Sequence, residues 1–148
     1  MTTEFETNTT IDASPETVWE TLSDLAGISN WAAIIADSPL VGKPGIGAVR
    51  NCTLADGAKV QEEFIDWQEN RRMRYTVGGD LPVSNMVSTW TLTPTDKGTV
   101  VSYHGQFDAP SPDMAEPLKQ KIAGMAGFLV EALKTNVETG QVLAAPAA

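Results

Sequence analysis

The chain has few of the side chains that metal and disulfide chemistry require. Cys52 is the only cysteine and His104 the only histidine among 148 residues. A single cysteine cannot form an intrachain disulfide, and one cysteine with one histidine cannot supply the ligands of a structural zinc site. We therefore expect no metal site and no cofactor. This cysteine usage also favours a reducing, cytoplasmic location.

Long apolar runs and early basic residues are missing as well. No run of roughly 18 apolar residues occurs, so no membrane-spanning helix is predicted. The polar start MTTEFETNTT does not resemble a signal peptide. Residues 1–42 contain seven acidic residues and no Lys or Arg, and the net charge is −9. Such a chain repels phosphate groups, so we expect no nucleic-acid partner and no membrane insertion.

The length and the composition fit one domain. A chain of 148 residues that is 42% hydrophobic can bury a core of its own. No repeat or linker divides residues 1–148, which we therefore assign to a single domain. The alanine-rich end is the one low-complexity segment, and we expect residues 141–148 to form a disordered tail.

Helical periodicity is strongest near the C-terminus. Apolar residues recur there at steps of three and four, at Leu118, Ile122, Met125, Leu129, Leu133 and Val137. Gly140 is a plausible stop signal, whereas Pro117 predicts an irregular first turn over residues 112–116. The pattern therefore predicts a long helix over residues 117–139.

Two glycines, Gly124 and Gly127, lie inside this predicted helix. Each costs about 1 kcal/mol relative to alanine in a helix interior. Either close backbone packing or empty space for a ligand is expected to offset that cost, and both explanations are open. If empty space is the explanation, the two glycines lie beside Met125 and Leu129 on the wall of a ligand cavity.

The rest of the chain has the two-residue period of β-strands. Residues 3–12 predict a first strand, and two short helices follow, one starting at Ser14-Pro15 and one over residues 28–31. Six more strands are predicted at 34–41, 48–54, 60–67, 72–77, 85–93 and 99–107, with short turns typical of antiparallel pairing. This order is an α+β layout in which the sheet curls around the long helix.

Alternation along the strands predicts which side chains face the helix. The heavier apolar sets are Met73, Tyr75 and Val77, then Met86, Ser88, Trp90 and Leu92, then Val101, Tyr103, Gly105 and Phe107. His104 is then on the outer face, which disfavours it as a catalytic base. Cys52 has no histidine partner by the same parity and is assigned to the core. Parity alone leaves the facing of Arg50 and Glu62 open.

Several segments resemble the START-like (SRPBCC) superfamily, the helix-grip proteins that include Bet v 1 and the polyketide cyclases. Residues 11–19, IDASPETVW, resemble the opening of that superfamily. GAVR at residues 47–50, DG at 56–57 and VQE at 60–62 resemble its polyketide cyclase/dehydrase subfamily. GQF at residues 105–107 is similar to a G-x-F segment of the same superfamily. The resemblance covers nearly the whole chain.

The resemblance implies a helix-grip fold, with a seven-stranded curved antiparallel sheet around the long C-terminal helix. It also implies that Arg50 and Glu62 face inward. The expected function is binding of a small hydrophobic or aromatic molecule in a cavity between sheet and helix. The predicted ligand contacts are Arg50, Tyr75, Met86, Ser88, Trp90, Met125 and Leu129.

Two alternatives stay open, and a homodimer is a possible assembly. A polyketide cyclase or dehydratase would use Glu62 as general acid or base, and Tyr103, Tyr75 or Arg50 to polarise a carbonyl group. An Arg50–Glu62 ion pair explains the same residues without catalysis. An interaction protein would use the outer face of the sheet and pack its helix solidly. A cavity under about 100 Å³ would argue against binding and catalysis, because ligand sites usually measure several hundred Å³.

Overall fold

The computed structural model describes residues 2–146. These residues form a strongly curved sheet that wraps around one long helix. The elements are β1 (Thr2–Ile11), α1 (Pro15–Ser23), a 3₁₀ turn (Leu25–Gly27), α2 (Ile28–Trp31), β2 (Ile35–Asp37), β3 (Leu40–Val41), β4 (Val49–Leu54), β5 (Lys59–Gln68), β6 (Arg72–Gly79), β7 (Ser84–Thr95), β8 (Gly98–Asp108), a second 3₁₀ turn (Pro112–Met114) and α3 (Ala115–Thr139). This is the predicted α+β helix-grip arrangement.

The strands form one antiparallel sheet. Their order is β1-β8-β7-β6-β5-β4-β2, and β3 also pairs with β4. The strand predicted at 34–41 is divided into β2 and β3, so the described residues contain eight strands instead of seven. The division occurs at Ser38, whose buried hydroxyl donates to Ala26 O at 2.7 Å, and at Pro39, which has no N–H for a ladder.

The residues predicted to start α1 and to end α3 do so in the structure. The Ser14 hydroxyl accepts the Thr17 N–H at 3.2 Å and caps α1. Gly140 ends α3 with a left-handed φ of 74°. Pro117 lies in the first turn of α3, where its missing N–H has no intrahelical acceptor to lose. The helix therefore begins two residues earlier than predicted, at Ala115.

The residues predicted to face inward from the strands lie in the core. The buried face of α3, however, differs from the apolar stripe predicted for that helix. Its buried residues are Leu118, Ala126, Val130, Ala132 and Leu133. Met125, which the predicted stripe includes, is 38% exposed. The C-terminal half of α3 is fastened to β1, because Lys134 Nζ donates to Thr10 O and the Asp12 N–H donates to Glu138 Oε2 at 2.8 Å.

The two glycines of α3 do not face the interior chamber. Gly124 is exposed, and a Cβ there would meet no atom within 4 Å. A Cβ on Gly127 would lie 3.9 Å from Thr7 Oγ1 of β1, an ordinary contact. The explanation that these glycines leave room for a ligand is therefore wrong, and close packing does not require them either.

The C-terminal segment returns toward α2. Leu143 forms an isolated parallel bridge with Ala32. The tail predicted over 141–148 lies in part outside the described residues, which end at 146. Within the described part of the chain, no helix has the length and apolar character that a membrane crossing requires.

The placement of Gly124 leads to a stability prediction. Gly124→Ala is expected to raise the free energy of unfolding by about 0.5–1 kcal/mol, because it removes backbone entropy from the unfolded chain without a clash. Urea unfolding followed by circular dichroism measures the change. As a control, Gly105→Ala should lower stability, since its Cβ would lie 2.4 Å from Phe5 Cζ. A destabilised Gly124→Ala protein would contradict the open surroundings of that position.

Candidate functional site

An apolar cavity of about 90 Å³ lies between the curved sheet and α3. Its apolar lining consists of Ile28, Ile34, Ile35, Leu54, Val60, Val77, Leu81, Met86, Ile122, Met125, Ala126 and Leu129. Four further lining residues are polar or ionisable: Cys52, Glu62, Tyr75 and Tyr103. The volume is below the limit of about 100 Å³ expected of a ligand site, and a cavity of about 150 Å³ is known to accept benzene. A ligand of useful size therefore requires a wall of this cavity to move.

A buried ion pair lies at the sheet side of the cavity. Arg50 of β4 is directly opposite Glu62 of β5 in the strand register, and Arg50 Nε donates to Glu62 Oε1 at 2.6 Å. Arg50 is 2% exposed and Glu62 is 9% exposed. Both residues thus face inward, as the family resemblance implies.

Arg50 is held behind Glu62 and does not line the cavity. Its Nη1 donates to Leu25 O at 3.2 Å, and its guanidinium carbon lies 5.2 Å from the Phe64 ring centroid and 5.5 Å from that of Tyr75. Burial lowers the pKa of Arg50, but the Glu62 carboxylate, together with Tyr75 and Cys52, raises that pKa above its ordinary value. The guanidinium is therefore a fixed positive charge within the wall.

The two oxygens of Glu62 have different environments. Oε1 accepts from Arg50 and also lies 3.4 Å from the Cys52 Sγ, whose thiol can donate to it. Among the described residues, no hydrogen bond reaches Oε2. Burial, followed by the Glu62 carboxylate, raises the pKa of the Cys52 thiol to about 12. Cys52 therefore stays a protonated thiol, which agrees with its assignment to the core and not to nucleophilic chemistry.

The two tyrosines of the chain, Tyr75 and Tyr103, form the aromatic wall beside Glu62. Trp90 Nε1 donates to the Tyr75 hydroxyl at 3.0 Å, and the Ser88 hydroxyl lies 2.6 Å from the Tyr103 hydroxyl. Burial is the main cause that raises the pKa of both phenols, that of Tyr103 to about 12. Both are thus neutral hydrogen-bond donors near neutral pH.

The predicted ligand contacts divide into two groups. Met86, Met125 and Leu129 line the cavity, as do Tyr75 and the two predicted catalytic residues, Glu62 and Tyr103. Ser88 and Trp90 lie behind the wall and hold the tyrosine hydroxyls, as Arg50 holds Glu62.

Sequence reasoning missed much of the apolar lining. Ile28, Ile34 and Ile35 come from α2, β2 and the residues between them, which are too short and irregular to show a period. Leu81 belongs to the loop between β6 and β7, and it also lines the cavity.

The outer face holds His104, as strand parity predicts. His104 Nε2 lies 3.1 Å from Glu4 Oε1 on β1, and His104 is not among the residues that line the cavity. The structure described here contains no group of three or more His, Cys, Asp or Glu side chains placed to hold a metal ion.

Together, the fold and the cavity define a helix-grip protein with a mainly apolar cavity between sheet and helix. The family model described as "Polyketide cyclase / dehydrase and lipid transport" matches residues 2–138. The chain belongs to that family, and the START-like, Bet v 1-like superfamily expected from the sequence is confirmed.

Solved structures from distant relatives share the fold. XoxI from Bacillus cereus is 21% identical, with a TM-score of 0.76 over 91% of this chain and 95% of its own. Norcoclaurine synthase from Thalictrum flavum is 18% identical, with a TM-score of 0.74 over 93% and 87%. Ara h 8.0201 is 20% identical, with a TM-score of 0.73 over 93% and 98%. These identities show the fold alone, and none of the curated proteins compared matches the chain.

The burial of both tyrosines predicts an unusual alkaline titration. Unfolded tyrosine ionises near pH 10, whereas the pKa of Tyr103 is raised to about 12 in the folded protein. A raised folded pKa leaves stability intact below about pH 10 and reduces it as the pH rises toward 12. Phenolate absorbance should therefore stay absent near pH 10 and appear only together with unfolding. Phenolate absorbance near pH 10 with an unchanged circular dichroism spectrum would contradict the burial.

Proposed function

We propose that the protein binds a small, mainly apolar molecule, aromatic or aliphatic, in the cavity between the sheet and α3. One observation carries the proposal: the cavity is lined by apolar side chains, and the lining is interrupted only by Cys52, Glu62, Tyr75 and Tyr103. Apolar contact supplies affinity in such sites, and a few fixed polar groups orient the ligand. The family's description, which includes lipid transport, agrees with this reading.

Binding requires the cavity to widen, and the residues at its mouth are suited to that movement. Met125 is 38% exposed and has an unbranched, flexible side chain. Leu81 is half-buried in the loop between β6 and β7. Rotation of Met125 toward solvent would add the volume of its own side chain to the cavity, while the ion pair and the tyrosines keep the opposite wall fixed.

Catalysis is the second candidate, because Glu62 and Tyr103 line the same cavity. A cyclase or dehydratase needs a base near a donor that polarises a carbonyl group. Arg50 and Cys52 already engage Oε1 of Glu62, which favours a role in orienting a ligand. A ligand recovered unchanged after incubation with the protein supports binding alone, and a product of altered mass supports catalysis.

Two expectations about the cell and the assembly stay predictions. A cytoplasmic location follows from the cysteine usage, and cell fractionation tests it. A homodimer is tested by light scattering on the purified protein.

Filling the cavity tests the proposed function. Ala126 is 2% exposed and lines the cavity, so Ala126→Leu places three further carbon atoms in the space. We expect the wild-type protein to bind toluene with a dissociation constant of roughly 1 mM or below, and Ala126→Leu to lose this binding. The methyl signals of Met86 and Met125 in NMR spectra report on occupancy.

A leucine added elsewhere on α3 provides the control. Gln120→Leu places the same side chain on the exposed face of the helix and should leave toluene binding unchanged. Toluene binding that survives in Ala126→Leu, or that is absent from the wild-type protein, would contradict the proposed cavity.

A further inference from the structure

We propose that the cavity selects a neutral ligand that carries a hydroxyl group, such as a small phenol, over a hydrocarbon, a carboxylate or an ammonium ion of similar shape. The inference rests on the proposed binding function and specifies the chemistry of the ligand. It starts from the polar groups that line the cavity, the Glu62 carboxylate and the hydroxyls of Tyr75 and Tyr103.

Glu62 Oε2 supplies a hydrogen-bond acceptor. Its partner oxygen, Oε1, is engaged by Arg50 Nε at 2.6 Å and by Cys52 Sγ at 3.4 Å, whereas no donor from the described residues is bonded to Oε2. Hydrogen bonds to charged acceptors are stronger than those between neutral groups. A ligand donor at this oxygen therefore gains affinity that a hydrocarbon cannot gain.

The tyrosine wall supplies a donor. The Tyr75 oxygen accepts from Trp90 Nε1 at 3.0 Å, and an indole nitrogen can only donate. The hydroxyl proton of Tyr75 is therefore not used by Trp90 and is available to a bound molecule. A ligand hydroxyl is able to accept from this wall and donate to Glu62, so one small group meets both requirements.

An anionic ligand meets the Glu62 carboxylate in the cavity lining, whereas Arg50 is not among the lining residues. Arg50 Nε and Nη1 are used by Glu62 and by Leu25 O, and the rings of Phe64 and Tyr75 cover the guanidinium. The Glu62 carboxylate stands between Arg50 and the cavity. The site therefore disfavours a ligand carboxylate.

An ammonium ion is disfavoured for a different reason. Arg50 and Glu62 together carry no net charge, so an ammonium ion would place an uncompensated positive charge in an apolar chamber. The cost of removing that charge from water exceeds the gain from one hydrogen bond. A neutral hydroxyl group gains the hydrogen bonds without this cost.

Four probes of similar shape test the selection: toluene, phenol, benzoate and benzylammonium. Titrations near pH 7, where phenol is neutral, are followed through the methyl signals of Met86 and Met125. We expect phenol to bind about 10-fold or more tightly than each of the other three, the factor that one charge-assisted hydrogen bond supplies. Equal affinities for phenol and toluene, or tighter binding of benzoate or benzylammonium, would overturn the inference but leave the proposed function intact. No binding by any probe would overturn the proposed function as well.

Variants connect the preference to particular groups. Arg50→Met combined with Glu62→Leu replaces the ion pair by apolar side chains, a change that buried pairs often tolerate. This double variant should still bind toluene, and its preference for phenol should fall to about 3-fold or less. If the double variant kept the full preference for phenol, Glu62 would not be the acceptor of the ligand hydroxyl group.

A conservative variant keeps the test decisive if the double variant does not fold. Tyr75→Phe removes one hydroxyl and should lower the ratio of phenol affinity to toluene affinity by about 3-fold or more. The matched control is Thr76→Val on the same strand, because Thr76 points to the outer face and should affect neither probe. Phenol binding that is unaffected by Tyr75→Phe would overturn the proposed donor role of the tyrosine wall.

Discussion

The ion pair between Arg50 and Glu62 determines the character of the interior. The two residues are paired across β4 and β5, and both are almost completely buried. Neither charge is tolerable alone in an apolar interior, so the position of each depends on the other. It also matters which of the two charges is nearer the cavity. The Glu62 carboxylate lines it, whereas the Arg50 guanidinium lies behind the carboxylate, in contact with Leu25 O, Phe64 and Tyr75. The cavity therefore has a charged acceptor in its wall and no net charge nearby.

The remaining walls differ in rigidity, and that difference suits a binding function. Trp90 packs edge-on against Tyr103 with ring centroids 5.1 Å apart and donates to Tyr75 at 3.0 Å, so the aromatic wall is fixed by packing and by hydrogen bonds. On the other side of the cavity, Met125 is 38% exposed and Leu81 is half-buried, and neither side chain has a polar group that could fix it by a strong hydrogen bond. The proposed function requires the cavity of about 90 Å³ to widen on the side of Met125 and Leu81 while the polar wall keeps its geometry.

The elements that could be predicted are those with a strong local pattern. Met73 and Tyr75 or Val101 and Tyr103 alternate with polar neighbours, and a strand with one buried face must place such residues together. The facing of Glu62 could not be read from the pattern, because Glu62 and Glu63 put an acid on both faces of β5. The division of the strand at Ser38 depends on a hydrogen bond to Ala26, twelve residues earlier in the chain. The apolar stripe of α3 predicted a helix, but tertiary packing decided that Ala126, and not Gly124, lies against the cavity.

A double-mutant cycle on Arg50 and Glu62, measured by urea unfolding, tests the central role of the ion pair most directly. Arg50→Met and Glu62→Leu should each lower the free energy of unfolding by about 3–5 kcal/mol, because each leaves one buried charge without its partner. The double variant should lie within about 1 kcal/mol of the wild-type protein or above it, since the apolar pair leaves no buried charge. Losses that simply add in the double variant would show that the two charges are independent and would contradict the account.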